Sequence, residues 1–179
     1  MQPQRLLPEM TASFQDRVVV LFDAHFHRLF RFLDRLSGDP DLAADIAQEA
    51  FVKLYDRGSL PDRPEAWLIS VSMNLFRNAR STGSRRARLL TLARGEAVHS
   101  DPLPTPDETT AAAESRRRVR RAIDRIPERE RNLLLLQAEG YSYHDIAEVL
   151  ELNETSIGTL LARARILFRE AYQDPNDAS

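Results

Sequence analysis

Cysteine is absent from this 179-residue chain, so disulfide bonds, thiolate metal sites and cysteine nucleophiles are excluded. Long apolar runs are missing too: stretches such as residues 18–22 and 133–136 fall far short of the roughly 20 residues that span a bilayer. Residues 1–10 contain prolines and a glutamate and lack the apolar stretch of a signal peptide. These absences predict a cytoplasmic protein without direct membrane insertion.

Recognisable catalytic and cofactor motifs are also lacking. His25, His27, His99 and His144 are scattered, and the first two, two residues apart on a predicted helix, point to different faces and make a poor metal pair. The sequence has no Gly-rich phosphate loop, no nucleophile motif and no paired carboxylates at ligand spacing. We therefore expect no catalytic residue, metal site or cofactor, and predict that the protein is not an enzyme.

Charge is distributed unevenly along the chain. The net charge is only -2, and a composition of 42% hydrophobic and 29% charged residues is typical of an ordered globular protein. Residues 67–94, however, hold six arginines and no acidic residue, whereas residues 95–115 hold five acidic residues and no basic one. Because local charge decides what a surface attracts, the first of these stretches is a candidate for binding nucleic acid.

Two helices are predicted in the first third of the chain. Apolar residues recur over residues 14–37 at alternating steps of four and three, which indicates a helix with one buried stripe. Gly38 ends this helix, Asp39 is placed to cap the next one, and Pro40 suits its first position. The second helix is predicted to reach about Asp56.

The middle of the chain combines a third helix with a linker. Residues 57–63 contain glycine, serine and proline and indicate a loop, after which Pro64 opens a helix that continues into the arginine-rich stretch. Its predicted apolar stripe consists of Leu68, Val71 and Leu75. Residues 95–110 are acidic, contain three prolines and have too little apolar surface to offset the entropy of ordering, which predicts a flexible linker.

Helical patterns resume near Ala111 and continue almost to the C-terminus. Pro127 suits the first position of one helix, and Ser142 with Asp145 forms a capping box for a short one. Asn153 is placed to cap the last helix. Residues 141–165 thus have the dimensions of a helix-turn-helix, although periodicity alone does not distinguish this motif from an ordinary helical hairpin. The fold class is predicted to be all-α, with two small helical domains.

Four segments in register resemble sigma factors of the extracytoplasmic-function (ECF) subfamily: DLAADIAQEAFVKLY (41–55), AWLISVSMNL (66–75), IPERER (126–131) and YSYHDIA (141–147). The resemblance covers nearly the whole chain. It implies sigma domain two over residues 14–94, a linker over 95–110 and sigma domain four over 111–173. It further implies a transcription initiation factor whose partners are core RNA polymerase, promoter DNA and an anti-sigma factor.

The second helix is predicted to dock on the polymerase. In the family, matching Asp and Gln-Glu positions contact the basic coiled coil of the largest polymerase subunit, and the resemblance implies the same role for Asp45, Gln48 and Glu49. The alternative is a solvated acidic face. Acidic groups that face a basic partner speed the association and fix the relative position of the two surfaces, which favours docking.

The third helix and the loop before it correspond to the part of the family that reads and melts the minus-ten element. Loop residues 57–65 correspond to the segment that holds an unstacked base, although this loop lacks an aromatic side chain. We assign base reading to the two asparagines and phosphate binding to the arginines, against the alternative of a solvated basic face. The predicted contacts are Asn74, Arg77, Asn78, Arg80, Arg85 and Arg86.

The last helix departs from the family at two positions. Gly158 and Leu160 stand where many relatives have basic residues, which predicts weaker direct reading of the minus-thirty-five element and more dependence on DNA shape. Glu151 replaces a frequent turn glycine, at a cost of about 1 kcal/mol if a positive φ is required there. The remaining predicted DNA contacts are Thr155, Ser156, Thr159, Arg163 and Arg165.

Two other functions stay open at this point. A conventional helix-turn-helix regulator would bind DNA alone, generally as a dimer, but would leave Gln48 and Glu49 unexplained. A sigma-like adaptor would bind polymerase without reading promoters, which the departures at Gly158 and Leu160 permit. Copurification with polymerase and run-off transcription distinguish these alternatives.

Overall fold

The computed structural model describes the backbone of residues 13–94 and 110–173, and the side-chain environment of residues 13–82 and 111–173. Within these ranges the chain is helical, with no strand. The helices are α1 (Phe14–Ser37), α2 (Pro40–Asp56), α3 (Pro64–Arg94), α4 (Thr110–Arg125), α5 (Glu128–Ala138), α6 (Tyr143–Val149) and α7 (Ile157–Gln173), the last preceded by a 3-10 turn (Glu154–Ser156). In the described part of the chain, no helix is both long and apolar enough to cross a membrane.

Local signals in the sequence set the bounds of α1 and α2. Ser13 caps α1 through a reciprocal capping box with Asp16. Gly38 ends α1 with φ of 72°, a conformation that favours glycine. The Asp39 side chain accepts hydrogen bonds from the first amides of α2, and Pro40 occupies its first position, as predicted.

Helices α1 to α3 form the N-terminal bundle. The largest fully buried side chains are Leu29, Phe32 and Leu33 of α1, Leu54 of α2, and Leu68 and Ile69 of α3. The predicted stripe of α3 packs against the core, with Leu68 buried and Val71 and Leu75 half-buried. The fully buried side of α3 is wider than this stripe and comprises Ala66, Leu68, Ile69, Ser72, Met73 and Phe76. In α1, Phe22 is 39% exposed, although its ring stacks on that of Phe26.

Helices α4 to α7 form the C-terminal bundle. Leu133 and Leu136 of α5 and Leu161 of α7 are fully buried at its centre. The capping box of Ser142 is confirmed, and Asn153 caps the 3-10 turn that leads into α7. Pro127 occupies the N-cap of α5 and not the predicted first helical position.

The two bundles pack against each other, and their buried side chains form one continuous hydrophobic cluster. The contact joins α1 to α5 and α3 to α6. Of the predicted linker, residues 95–109 lie outside the described residues, and Thr110 is already the first residue of α4.

Candidate functional site

The predicted polymerase-docking residues form an exposed face of α2. Asp45, Gln48 and Glu49 are all exposed, while their neighbours Ile46, Ala47 and Ala50 are buried and fix the orientation of the helix. The Glu49 carboxylate lies 3.5 Å from the Lys53 ammonium group, one helical turn away. Beside these residues, the side chains of Val52 and Tyr55 are 56% and 49% exposed. The face is therefore an acidic surface with an apolar border, available to a partner.

The predicted minus-ten contacts of α3 separate into two groups. Asn74, Arg77 and Asn78 are exposed and share one face of the helix. Arg77 Nη1 donates to Asn74 Oδ1 over 2.8 Å, which holds the asparagine amide in one orientation. Arg80 lies on another side, with its guanidinium 5.8 Å from the Phe76 ring centre. Arg85 and Arg86 belong to the part of α3 whose side chains are outside the described residues.

The loop before α3, predicted to hold an unstacked base, contacts the C-terminal bundle. Arg63 forms an ion pair with Asp145 of α6, and its other terminal nitrogen lies 2.8 Å from the Glu148 carboxylate. On the other side of the loop, the Arg57 guanidinium lies 5.9 Å from the centre of the half-buried Trp67 ring. The sequence analysis did not predict that Arg63 joins this loop to α6, because its acidic partners are 82 or more residues away along the chain.

The helix-turn-helix presents three of its predicted contacts on one exposed face. Thr155, Thr159 and Arg163 follow each other at intervals of four residues, and all are exposed. Ser156 is half-buried. Arg165 is exposed but donates to Gln137 Oε1 of α5 over 3.0 Å, which places it beside that face.

A buried acidic residue of α5 interacts with α7, the last helix of the helix-turn-helix. Glu130 of α5 is buried, which raises its pKa, but the hydrogen bond from Arg129 and the positive charges of Arg129 and Arg163 outweigh this effect, so that its pKa is lowered. Glu130 is therefore ionised at neutral pH and attracts Arg163. Part of the positive charge of α7 is thereby balanced within the protein.

Gly158 and Leu160, the two residues of α7 that differ from the family pattern, have different surroundings in the structure. Leu160 is half-buried and packs against the core. Gly158 has no positive φ, and a Cβ atom there would meet only the Tyr143 ring at 3.9 Å, an ordinary contact. The backbone therefore has room for a side chain at residue 158. Glu151 has φ of 54°, so the positive φ considered for this position is confirmed.

A buried ion pair between the two bundles was not predicted from the sequence. Arg31 Nε lies 2.8 Å from Glu139 Oε2, and Arg35 Nη1 lies 2.7 Å from Glu139 Oε1. Both arginines belong to α1, whereas Glu139 directly follows α5 and its side chain is 2% exposed. Each carboxylate oxygen thus has its own arginine across the contact.

A second contact between the bundles involves an aromatic ring. The Arg28 guanidinium of α1 lies 4.4 Å from the centre of the buried Tyr141 ring and 2.5 Å from the Glu65 carboxylate. Burial raises the pKa of the Tyr141 hydroxyl well above its usual value, so this side chain stays neutral. The arginine therefore bridges a carboxylate of α3 and the face of a neutral ring.

Family models and curated relatives match both bundles. The family model described as sigma-70 region 2 matches residues 21–86, and the one described as sigma-70, region 4 matches residues 116–167. The chain is 33% identical to the ECF RNA polymerase sigma factor SigM of Mycobacterium tuberculosis, over 81% of this chain and 71% of SigM. It is 27% identical to the RNA polymerase sigma-H factor of Pseudomonas aeruginosa, over 96% of this chain and 94% of that factor.

One relative is much longer than this chain. A protein described as a probable RNA polymerase sigma factor, RfaY of Xanthomonas campestris, is 32% identical over 72% of this chain, but the match spans only 34% of RfaY. The likeness to RfaY therefore concerns about a third of that protein.

Solved structures with the same fold include two complexes, one of them of a chain named as a sigma factor. CnrH, solved with the cytosolic domain of CnrY, has a TM-score of 0.60 at 21% identity and matches 92% of this chain and 91% of its own. RpoE of Bartonella quintana, solved with the anti-sigma factor NepR, has a TM-score of 0.58 at 22% identity and matches 90% of this chain and 98% of its own. At these identities the likeness establishes a shared fold.

Proposed function

The chain belongs to the ECF sigma factors of the sigma-70 family, and on this premise we propose that it binds core RNA polymerase through α2, reads and helps to melt the minus-ten element with α3, and binds the minus-thirty-five element with α7. The observation that carries the proposal is the order of the two matched regions on the two bundles, region 2 on α1 to α3 and region 4 on α4 to α7. We further propose bundle boundaries at residues 14–94 and 111–173, joined by the linker 95–110.

Polymerase docking is assigned to the exposed face of α2. Asp45, Gln48 and Glu49 offer two carboxylates and an amide on a helix whose opposite side is firmly packed, so the face is presented rigidly. A basic coiled coil would meet opposite charge here, which speeds association and fixes register. The exposed apolar side chains of Val52 and Tyr55 would add buried area at the border of the same contact.

Promoter reading is assigned mainly to α3. Asn74 and Asn78 offer amides that pair with base edges, and Arg77 adds positive charge from the same face. In the helix-turn-helix, Thr155 of the 3-10 turn and Thr159 of α7 have short hydroxyl side chains, so we assign them backbone contacts. Reading of the minus-thirty-five element would then depend more on DNA shape.

Regulation and location are proposed from the family. Both solved neighbours were determined with a bound partner, one of them named as an anti-sigma factor. We propose that an anti-sigma factor also controls this chain, in the cytoplasm where core polymerase works. As a transcription initiation factor, the protein would supply promoter specificity and leave the chemistry of RNA synthesis to the polymerase, with no cofactor of its own.

The experiment that tests polymerase docking is holoenzyme assembly with Glu49→Lys. We expect this variant to lose binding to core polymerase while its helical content and melting temperature stay nearly unchanged, because residue 49 is exposed. Asp23→Lys, a charge reversal at an exposed residue of α1, is the matched control and should bind normally. Unimpaired binding of Glu49→Lys to core polymerase would contradict the assignment of polymerase docking to α2.

A further inference from the structure

A cavity of about 530 Å³ lies where α3, α5 and α6 meet, and it opens to solvent. This volume is within the range of sites that hold small molecules. Asn74 and Arg77 of α3, which are exposed and which we assign to promoter DNA, line one side of it. The other walls come from α5 and from the end of α6, where no DNA or polymerase contact is proposed. The cavity is therefore a candidate site for a ligand other than DNA.

Negative charge exceeds positive charge in the cavity walls. The charged residues there are three glutamates and two arginines, namely Glu128, Glu148, Glu151, Arg77 and Arg129. Arg77 lies 3.5 Å from the Glu128 carboxylate, and Arg129 and Glu148 each have an ion-pair partner outside the cavity. Within residues 13–82 and 111–173, Glu151 has no ion-pair partner. One carboxylate of the cavity is therefore left without a counter-charge in this part of the chain.

The backbone of Glu151 is strained. Its φ is 54°, and its amide donates to the Glu148 carbonyl oxygen over 3.3 Å. A non-glycine residue at positive φ is uncommon, and residues with strained backbones cluster at active sites and ligand sites. Glycine would make the same turn without strain, but it would remove the carboxylate. The chain thus keeps a charged side chain beside the cavity at a cost in stability.

A buried amide supplies a second group without a partner. Asn132 of α5 is 3% exposed, and within the described residues its Oδ1 atom accepts no hydrogen bond. Burial of an acceptor without a donor costs free energy, so nearly all such atoms in proteins are paired. Asn132 lines the cavity and also a neighbouring one of about 290 Å³. A bound molecule that donates hydrogen bonds would satisfy this oxygen from the cavity side.

The chemistry of the walls selects a cation that carries several donors on an apolar chain. Glu151 offers negative charge and Asn132 an acceptor, while Met73 and Leu150 offer apolar surface. An ammonium group has three donors and no acceptor, and a methylene chain packs against apolar walls. We propose that the cavity binds a linear aliphatic polyamine, with one ammonium group at Glu151 and a second nitrogen donating to Asn132. This proposal does not depend on the role of the protein at promoters.

Isothermal titration calorimetry of the full chain with spermidine measures this binding. We expect one molecule per chain, with a dissociation constant of about 0.1 mM or lower at roughly 0.15 M salt. Fully acetylated spermidine keeps the chain of the ligand but loses its charge, so it should not bind. Magnesium at equal ionic strength has charge but no apolar chain, so it should not displace spermidine. Displacement by magnesium would identify a general attraction of cations to an acidic surface and would overturn the proposal.

Two variants locate the site. Glu151→Gln removes the charge at an exposed residue and keeps the shape, so it should weaken spermidine binding about tenfold at unchanged helical content. Glu170→Gln, the same change at an exposed residue of α7, is the matched control and should bind normally. Asn132→Ala should weaken binding about fivefold, and if this buried substitution prevents folding, Glu151→Gln decides alone. No binding by the wild type, or equal binding by Glu151→Gln, overturns the proposal.

Discussion

The two helices assigned to promoter DNA differ in the chemistry of their exposed faces. On α3, Asn74 and Asn78 offer two amides beside Arg77, and no acidic residue occurs between residues 67 and 94. On α7 and the 3-10 turn before it, the corresponding face offers Thr155, Thr159 and one arginine, and the buried Glu130 below it attracts that arginine. Amides discriminate between bases, whereas short hydroxyls and single arginines mainly hold the DNA backbone.

The difference indicates a division of labour between the bundles. The N-terminal bundle would supply most of the sequence information, and the C-terminal bundle would supply affinity and position. Each of the following predictions changes one side of the comparison.

The largest effect is expected from Asn74→Ala. Loss of one base contact costs roughly 1 to 3 kcal/mol, so promoter activity should fall by about tenfold or more, with relaxed preference at one position of the minus-ten element. Run-off transcription from promoters with single substitutions measures both effects. Gln173→Ala removes an exposed amide at the end of α7 and serves as the control. Intact activity and an unchanged preferred sequence in Asn74→Ala would remove this residue from the reading surface.

A smaller and uniform effect is expected from Arg163→Ala. If this arginine holds a phosphate, its loss should weaken binding to all promoters alike, by about threefold to fivefold, and lower the slope of log affinity against log salt by about one. Holoenzyme binding to several promoters at a series of salt concentrations measures the slope. Arg169→Ala, at another exposed arginine of α7, should leave the slope unchanged. A change in preferred sequence with Arg163→Ala would contradict a backbone role.

The smallest effect is expected from the addition of a basic side chain at Gly158. Since the structure has room for a Cβ atom there, Gly158→Arg should raise the contribution of the minus-thirty-five element by roughly twofold. Gly158→Ala is the matched control, because either substitution improves helix propensity by about 1 kcal/mol but only arginine adds charge. Equal effects of the two variants on minus-thirty-five dependence would show that stability and not a new contact is responsible.

Sequence reasoning predicted best the features that depend on neighbouring residues. The capping box of Ser142, the glycine end of α1 and the Asp39 cap of α2 act within a few residues, so their signals are local. The predicted stripe of α3 was too narrow, because this helix packs against both the N-terminal bundle and α6 and is buried over a wider arc. The spacing of one apolar stripe does not describe the buried surface of a helix that packs against two neighbours.

The contact between the bundles was beyond the reach of local patterns. Arg31 and Glu139 are 108 residues apart, and each is by itself an ordinary charged residue, the first on α1 and the second directly after α5. Charges that pair across such a separation leave no periodic signal. The exposed faces of α2 and α3 were located because their buried neighbours are regular, but which DNA or protein atoms they contact stays a prediction.

The most direct test of the division of labour is a promoter library transcribed by the wild-type holoenzyme, with both the minus-ten and minus-thirty-five elements randomised. Sequencing of the transcripts gives the information carried by each position. We predict that minus-ten positions carry most of the sequence information, and that the minus-thirty-five signal is weaker and follows DNA shape. A library in which the minus-thirty-five positions carry most of the information would contradict the account.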